Sequence, residues 1–213
     1  MLLRFDKGRS TGVWEIISGD ETWVYCFDPE TKQQSSQWML VGHKPPQKVV
    51  RSRSVAKQMV VVFVRKSDPV ALVPLETQRT VTARWYVEEC LPRVLESIHE
   101  LRPRTRHRGI LLHHDNAPAH TAKLTQEFLA RESVQLLQHP PYSPDLAPLD
   151  FFVFPRVKLQ LRGKRFESPE EAVEAFNEIL RDIPSTDWSS CFWKWFERMG
   201  KCIECGGEYF EKE

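Results

Sequence analysis

Three aspartates, Asp20, Asp115 and Asp150, each fall where an apolar stretch of this 213-residue chain reaches a polar edge. Carboxylate oxygens are hard ligands, and Mg²⁺ prefers a few of them together with water and phosphate oxygens over an all-protein cage; Mn²⁺ accepts the same donors. Two such ions about 3.5 to 4 Å apart can clamp the attacking and leaving oxygens of a phosphodiester displacement. The chemistry open to these residues is therefore metal-assisted phosphoryl transfer on nucleic acid. A single aspartate beside a turn is ordinarily a cap or a solvated side chain, because its short carboxylate satisfies local backbone donors. What decides between the two is the set of elements that must carry the three acids.

Residues 13 to 27 are rich in β-branched and aromatic side chains and predict a strand, bent or folded into a hairpin around Gly19, with Asp20 in its middle. From Asp28 to Ala56 the chain turns polar and contains Pro45-Pro46, a connection too long to be ordinary. Residues 58 to 64 and 70 to 75 are short apolar runs around Ser67-Asp68-Pro69, the pattern of an antiparallel hairpin beside the first strand. Val87, Leu91, Val94, Ile98 and Leu101 recur at helical spacing, so residues 81 to 101 predict a helix with a buried stripe, kinked or restarted at Pro92.

Gly109 to Asp115 is a short apolar run ending in a turn signal, as in a buried central strand, which places Asp115 at a strand end. A helix over about 119 to 131 and a strand from Val134 to Gln138 follow, the alternation of a sheet with parallel members, whose ligands collect beyond the carboxyl ends of the strands. Pro148 can open a helix running toward Leu161, with Asp150 in its first turn, where the helix dipole favours the ionised carboxylate. Ser168-Pro169-Glu170-Glu171 is a capping box before a helix whose Ala172, Phe176, Ile179 and Ile183 share one face. A last helix from about Thr186 aligns Trp188, Phe192, Trp195 and Met199, and Gly206-Gly207 ends it.

The chain is 41% hydrophobic and 28% charged, enough for one sizeable core, and reads as one domain over 1–213 with an inserted loop over about 28–56. A net charge of +1 means that any nucleic-acid surface must come from local clustering. Five cysteines in a chain of this size favour free thiols and a reducing compartment. The first residues meet charge too early for a signal peptide, and no apolar run of roughly 18 residues is present. The expectation is a soluble intracellular protein with no membrane and no small-molecule cofactor.

Ser18-Gly19-Asp20-Glu21-Thr22-Trp23, then His114-Asp115-Asn116-Ala117-Pro118-Ala119-His120, then Tyr142 to Asp150 together resemble the catalytic domain of mariner transposases of the Tc1/mariner superfamily. Between Asp115 and Asp150 lie 34 residues, the interval of the three-aspartate mariner type. Leu161 to Phe166 and the closing Cys202 to Phe210 segment extend the likeness over nearly the whole chain, and the family's two N-terminal helix-turn-helix modules are not among these residues. The resemblance implies an α/β, RNase H-like fold: a mixed central sheet, antiparallel first strands followed by parallel members, flanked by helices. It implies that Asp20, Asp115 and Asp150 are a catalytic triad holding two Mg²⁺ or Mn²⁺ ions. Its substrate would be double-stranded DNA, nicked at transposon ends by water, with the freed 3′-hydroxyl attacking a TA target. The full-length protein would be a homodimer in the nucleus, with the long loop reaching the partner subunit.

Basic residues cluster at Lys44 to Lys57, Arg102 to Arg108 and Lys158 to Arg165. The first and third adjoin the acidic motifs, which makes Lys48, Arg51, Arg53, Lys57, Lys158, Arg162, Lys164 and Arg165 candidates for phosphate contact, whereas the middle cluster reads as a solvated turn. His120 either orients the Asp115 turn or joins them. Glu21, Asp28 and Asp145 read as structural. Three histidines near Asp115 and the Cys202/Cys205 pair invite a zinc reading, but a structural site needs four ligands and neither cluster supplies them. Trp188 and Trp195 belong to the core by their spacing; Trp23 and Trp38 flank the loop and could pack or stack on bases. Two rivals stay open: a domesticated fragment kept for DNA binding or dimerisation inside a host fusion protein, and an RNase H-like nuclease of another substrate class.

Overall fold

The computed structural model describes residues 1–38, 40, 52–76, 80–103, 109–208 and 210. Lys48, Arg51 and much of the long loop lie outside the described residues.

β1 (Ile16–Tyr25) follows a 3₁₀ turn at Thr11–Glu15, which takes the first residues of the expected strand. The strand runs straight through Gly19 with no hairpin there. Gly19 has a packing reason: it faces Phe63 across the antiparallel pair with β2 (Lys57–Arg65), and a Cβ at this position would run into the Phe63 ring. Phe63 is fully buried, so Gly19→Ala is expected to destabilise by about 1 to 3 kcal/mol through overpacking, read as a lower denaturant midpoint at unchanged m-value.

β3 (Pro69–Pro74) pairs antiparallel with β2. β4 (Leu111–His113) lies parallel to β1, and β5 (Gln135–Leu137) lies parallel to β4. The order is β3-β2-β1-β4-β5, the mixed sheet expected from the pattern. Alternation along the strands divides the core. Ile16, Val24, Val60, Val62, Val64 and Leu111 face one side; Ile17, Val61, Phe63, Val73, Ile110 and Leu112 face the other.

The second face is covered by the helical run over 83–101 and by a helix over 123–131. Its first part is α1 (Ala83–Trp85), a π-helical turn (Tyr86–Cys90) and α2 (Leu91–Leu101). Pro92 does not break it. A proline cannot donate to the carbonyl four residues back, and the wider turn directly upstream, closed by Leu91 N–H on the Tyr86 carbonyl, takes up the mismatch without a break. Leu101, read as part of the buried stripe, is 44% exposed on the last turn of α2, and the stripe ends at Ile98. The expected 119–131 helix is split into α3 (Pro118–Thr121) and α4 (Lys123–Arg131) by the extended backbone of Ala122.

The first face is covered by α5 (Phe154–Leu161), α6 (Pro169–Arg181) and α7 (Ser185–Glu204). α5 is preceded by a second π-helical turn, Leu149–Val153, again two residues ahead of a proline, Pro155. At the α6 start the Ser168 hydroxyl accepts from Glu171 N–H, and the Glu171 carboxylate accepts from Glu167 N–H, so the box closes one residue earlier than the motif implies. At the end of α7, Gly207 N–H bonds the Cys202 carbonyl and Gly206 N–H that of Ile203, with φ positive at both glycines. This Schellman pairing is what the glycine pair encodes. No helix among the described residues is long and apolar enough to cross a membrane.

Candidate active site

Parallel pairing puts Ser18 of β1 level with His113 of β4, and their side chains hydrogen-bond at 2.9 Å, Oγ to Nδ1. Two residues further along each chain come Asp20 and Asp115, so the register that seals Ser18 against His113 also carries both acids to the same end of the sheet. His113 is buried, held by His139 through Nε2 to Nδ1 at 3.0 Å and packed edge-on to Trp195. Burial, reinforced by His139, lowers its pKa to about 3, so it is a neutral strut.

Asp150 arrives from the first face, in the π-helical turn ahead of α5. The wide turn answers two demands at once: it accommodates Pro155 and holds Asp150 beside Asp20. Burial raises the Asp150 pKa, the hydrogen bond with Asp20 opposes that, and the Asp115 charge adds to the rise. Asp20 is the most affected. Burial first, then the charges of Asp150, Glu21 and Asp115, push it up to about 8. Asp115 goes the other way, to about 2, because His120 hydrogen-bonds its carboxylate and Ala117 N–H adds a second bond.

The three acids thus share one electrostatic neighbourhood. Crowded carboxylates, Asp20 and Asp150 partly buried and the more exposed Asp115 held ionised, carry excess negative charge that a divalent cation would neutralise, and the donors are all hard oxygens. The residues fit such an ion.

Among the basic candidates, Arg53 and Arg162 both reach Asp28, at 2.8 and 3.7 Å, which bears out its structural reading. Lys57 sits 4.1 Å from the Trp23 ring centre and Arg165 lies 4.4 Å from that of Phe27, so both are partly committed to an aromatic face. Lys158, on the helix that follows Asp150, feels both Asp150 and Asp28, and burial lowers its pKa. Lys164 is exposed on the turn after α5. Arg102, read as part of a solvated turn, instead pairs with Glu15. Trp188 and Trp195 are core residues, and Trp38 is fully exposed.

Of the two roles open to His120, the structure favours orienting the Asp115 turn and speaks against phosphate contact. His120 is 1% exposed and bridges Asp115 and Glu21, with no surface to offer a phosphate. Glu21, expected to be merely structural, reaches the same site through His120. The available signal was strand alternation, which sends Glu21 to the face opposite Asp20, where the helix carrying His120 packs.

A mixed five-strand sheet with one acid on β1, a second just past β4 and a third on the turn ahead of α5 defines an RNase H-like nuclease domain. The chain belongs to the DDE superfamily endonucleases, which it matches over residues 15–171. Within that family its likeness is to mariner transposases: it is 29% identical over 205 residues to the Mariner Mos1 transposase of Drosophila mauritiana, a match covering 95% of this chain and 58% of that one. It is also 28% identical over 200 residues to the human histone-lysine N-methyltransferase SETMAR, covering 92% of this chain and 28% of that one. The chain therefore spans less than two thirds of either relative. Among solved structures, the Mos1 paired-end complex with left transposon end superposes with a TM-score of 0.86 at 28% identity, covering 99% of this chain and 60% of that one. The Mos1 paired end complex with Mn gives the same TM-score and coverages at 29% identity. The motif-based recognition of a mariner transposase catalytic domain is borne out.

Proposed function

We propose that this chain is a single catalytic domain that nicks DNA at transposon ends and transfers the 3′-hydroxyl to TA target DNA, with Asp20, Asp115 and Asp150 holding two Mg²⁺ or Mn²⁺ ions. The observation that carries the reading is the meeting of three carboxylates, far apart in sequence, at one end of the sheet. The Mos1 complexes, one with a transposon end and one with Mn, support both the DNA substrate and the metal. When bound, such ions supply Lewis acidity and charge neutralisation for in-line displacement at phosphorus.

The chain's own residues do the rest. Asp115 stays ionised through its bond to His120, and Asp20 and Asp150 are brought within hydrogen-bond reach of each other by β1 and the π-helical turn. Arg53, Lys57, Lys158, Arg162, Lys164 and Arg165 flank this end of the sheet and hold backbone phosphates, a sequence-independent and salt-sensitive task; Lys48 and Arg51 share it in this reading. The whole protein works as a homodimer in the nucleus.

The test is supercoiled plasmid incubated with the purified protein. Nicking is expected with Mg²⁺ or Mn²⁺, is abolished by excess EDTA, and returns when metal is added back. Nicking indifferent to EDTA would overturn the assignment. A second reading, a domesticated fragment that binds DNA within a host fusion protein, is favoured by the match to SETMAR, whose name is that of a methyltransferase and of which the chain covers 28%. DNA retained in a gel shift with no nicking in any metal would select it.

A further inference from the structure

Glu21 is the neighbour of Asp20 on β1, yet its carboxylate leaves from the opposite face of the sheet. There it meets His120, whose Nε2 lies 3.0 Å from Glu21 Oε1 while Nδ1 lies 2.7 Å from Asp115 Oδ1. One imidazole thus ties the strand that carries Asp20 to the loop that carries Asp115. The ring itself is clamped. It stacks on His114 at 4.4 Å with planes 6° apart and lies 4.6 Å from the Tyr86 ring, and Tyr86 in turn bonds His114 through its hydroxyl at 3.0 Å.

Donor atoms of Glu21, Asp115 and His120 fall within 4.8 Å of one another. A cation among them would have to displace a ring already bonded at both nitrogens, so the trio is a strut and not a cage. The contacts of His120 and of Ala117 N–H on the Asp115 side chain both use Oδ1, at 2.7 and 3.0 Å, leaving Oδ2 for another ligand.

We propose that Glu21 and His120 are positioning residues of the metal site: Glu21 anchors the imidazole, and the imidazole fixes one oxygen of Asp115 relative to β1. This rests on the metal-binding reading above. Outer partners of this kind are typically worth roughly 10- to 100-fold in metal affinity or activity when removed.

The experiment titrates Mn²⁺ into the DNA-free protein by calorimetry for the wild type, Glu21→Ala, Glu21→Gln and, as a control, Asp115→Asn. Circular dichroism fixes the folded fraction at the working temperature. Glu21→Ala is expected to weaken Mn²⁺ binding roughly tenfold or more. Glu21→Gln, which still accepts from the imidazole, recovers most of that loss. In plasmid nicking the Mn²⁺ concentration for half-maximal rate rises by the same factor, while the rate at saturating Mn²⁺ stays within about threefold. A merely structural glutamate would lower the amplitude with the folded fraction and leave the Mn²⁺ midpoint in place. If Glu21→Ala fails to fold, a Glu21→Gln midpoint shifted upward but short of the Asp115→Asn loss supports the proposal, and an unshifted one overturns it. Wild-type affinity in a folded Glu21→Ala protein overturns the strut and leaves the function standing. No Mn²⁺ binding by the wild type overturns both.

Discussion

Replacing Asp150 by asparagine is expected to cut metal-dependent nicking by roughly a thousandfold or more, about 4 kcal/mol of barrier, with the fold intact. The side chain keeps its shape in the π-helical turn before α5, so packing is unchanged, but a neutral amide replaces a carboxylate of the proposed metal site. The second half of the prediction separates this from unfolding. In the metal-free protein burial and the charges of its neighbours, Asp150 foremost among them, force Asp20 up to about 8. Asp150→Asn removes one of the crowded charges, so its thermal midpoint in EDTA should be no lower than that of the wild type. Lost nicking with a lower midpoint would mean local collapse. Undiminished nicking would remove Asp150 from the site.

Trp195→Ala is expected to have the largest effect on stability, about 3 to 5 kcal/mol, read from denaturant unfolding. Trp195 is fully buried in the layer of α7 against the sheet, and its indole N–H donates to the Leu146 carbonyl at 2.6 Å. Its ring also packs edge-on against His113, with centres 4.7 Å apart. Truncation therefore opens a cavity, leaves a carbonyl unpaired, and loosens the histidine that sets the level of β4 against β1. Trp195→Phe keeps most of the ring contact and loses the N–H, so roughly 1 to 3 kcal/mol is expected. A fall in nicking larger than the folded fraction explains would locate the excess in the Ser18 to His113 register.

Much of the fold was legible because local rules agree with the tertiary outcome. The order of strands and helices, the Ser168 cap, the paired glycines after α7 and the burial of Trp188 and Trp195 all follow from periodicity and backbone chemistry within a few residues. The misreadings share a cause as well. Pro92 forbids one hydrogen bond, but whether a helix kinks, stops or widens depends on what presses on it from the sheet, and here it widens. Leu101 has the right spacing to be buried, yet on the last turn of α2 it stays largely exposed while Ile98 is covered.

By itself the sequence determined which side chains are available: three aspartates with 34 residues between the second and third, in motifs that name the family, and basic clusters nearby. Only the tertiary structure decided how those side chains divide their work. Asp20 and Glu21 are adjacent in the chain, and the sheet sends one to Asp150 and the other to His120. Of the histidines around Asp115, one became a neutral strut and another a bridge between carboxylates, through bonds spanning 95 and 99 residues. Such pairings are set by strand register and by which layer covers each face, and register is a property of two segments meeting, which neither segment carries alone.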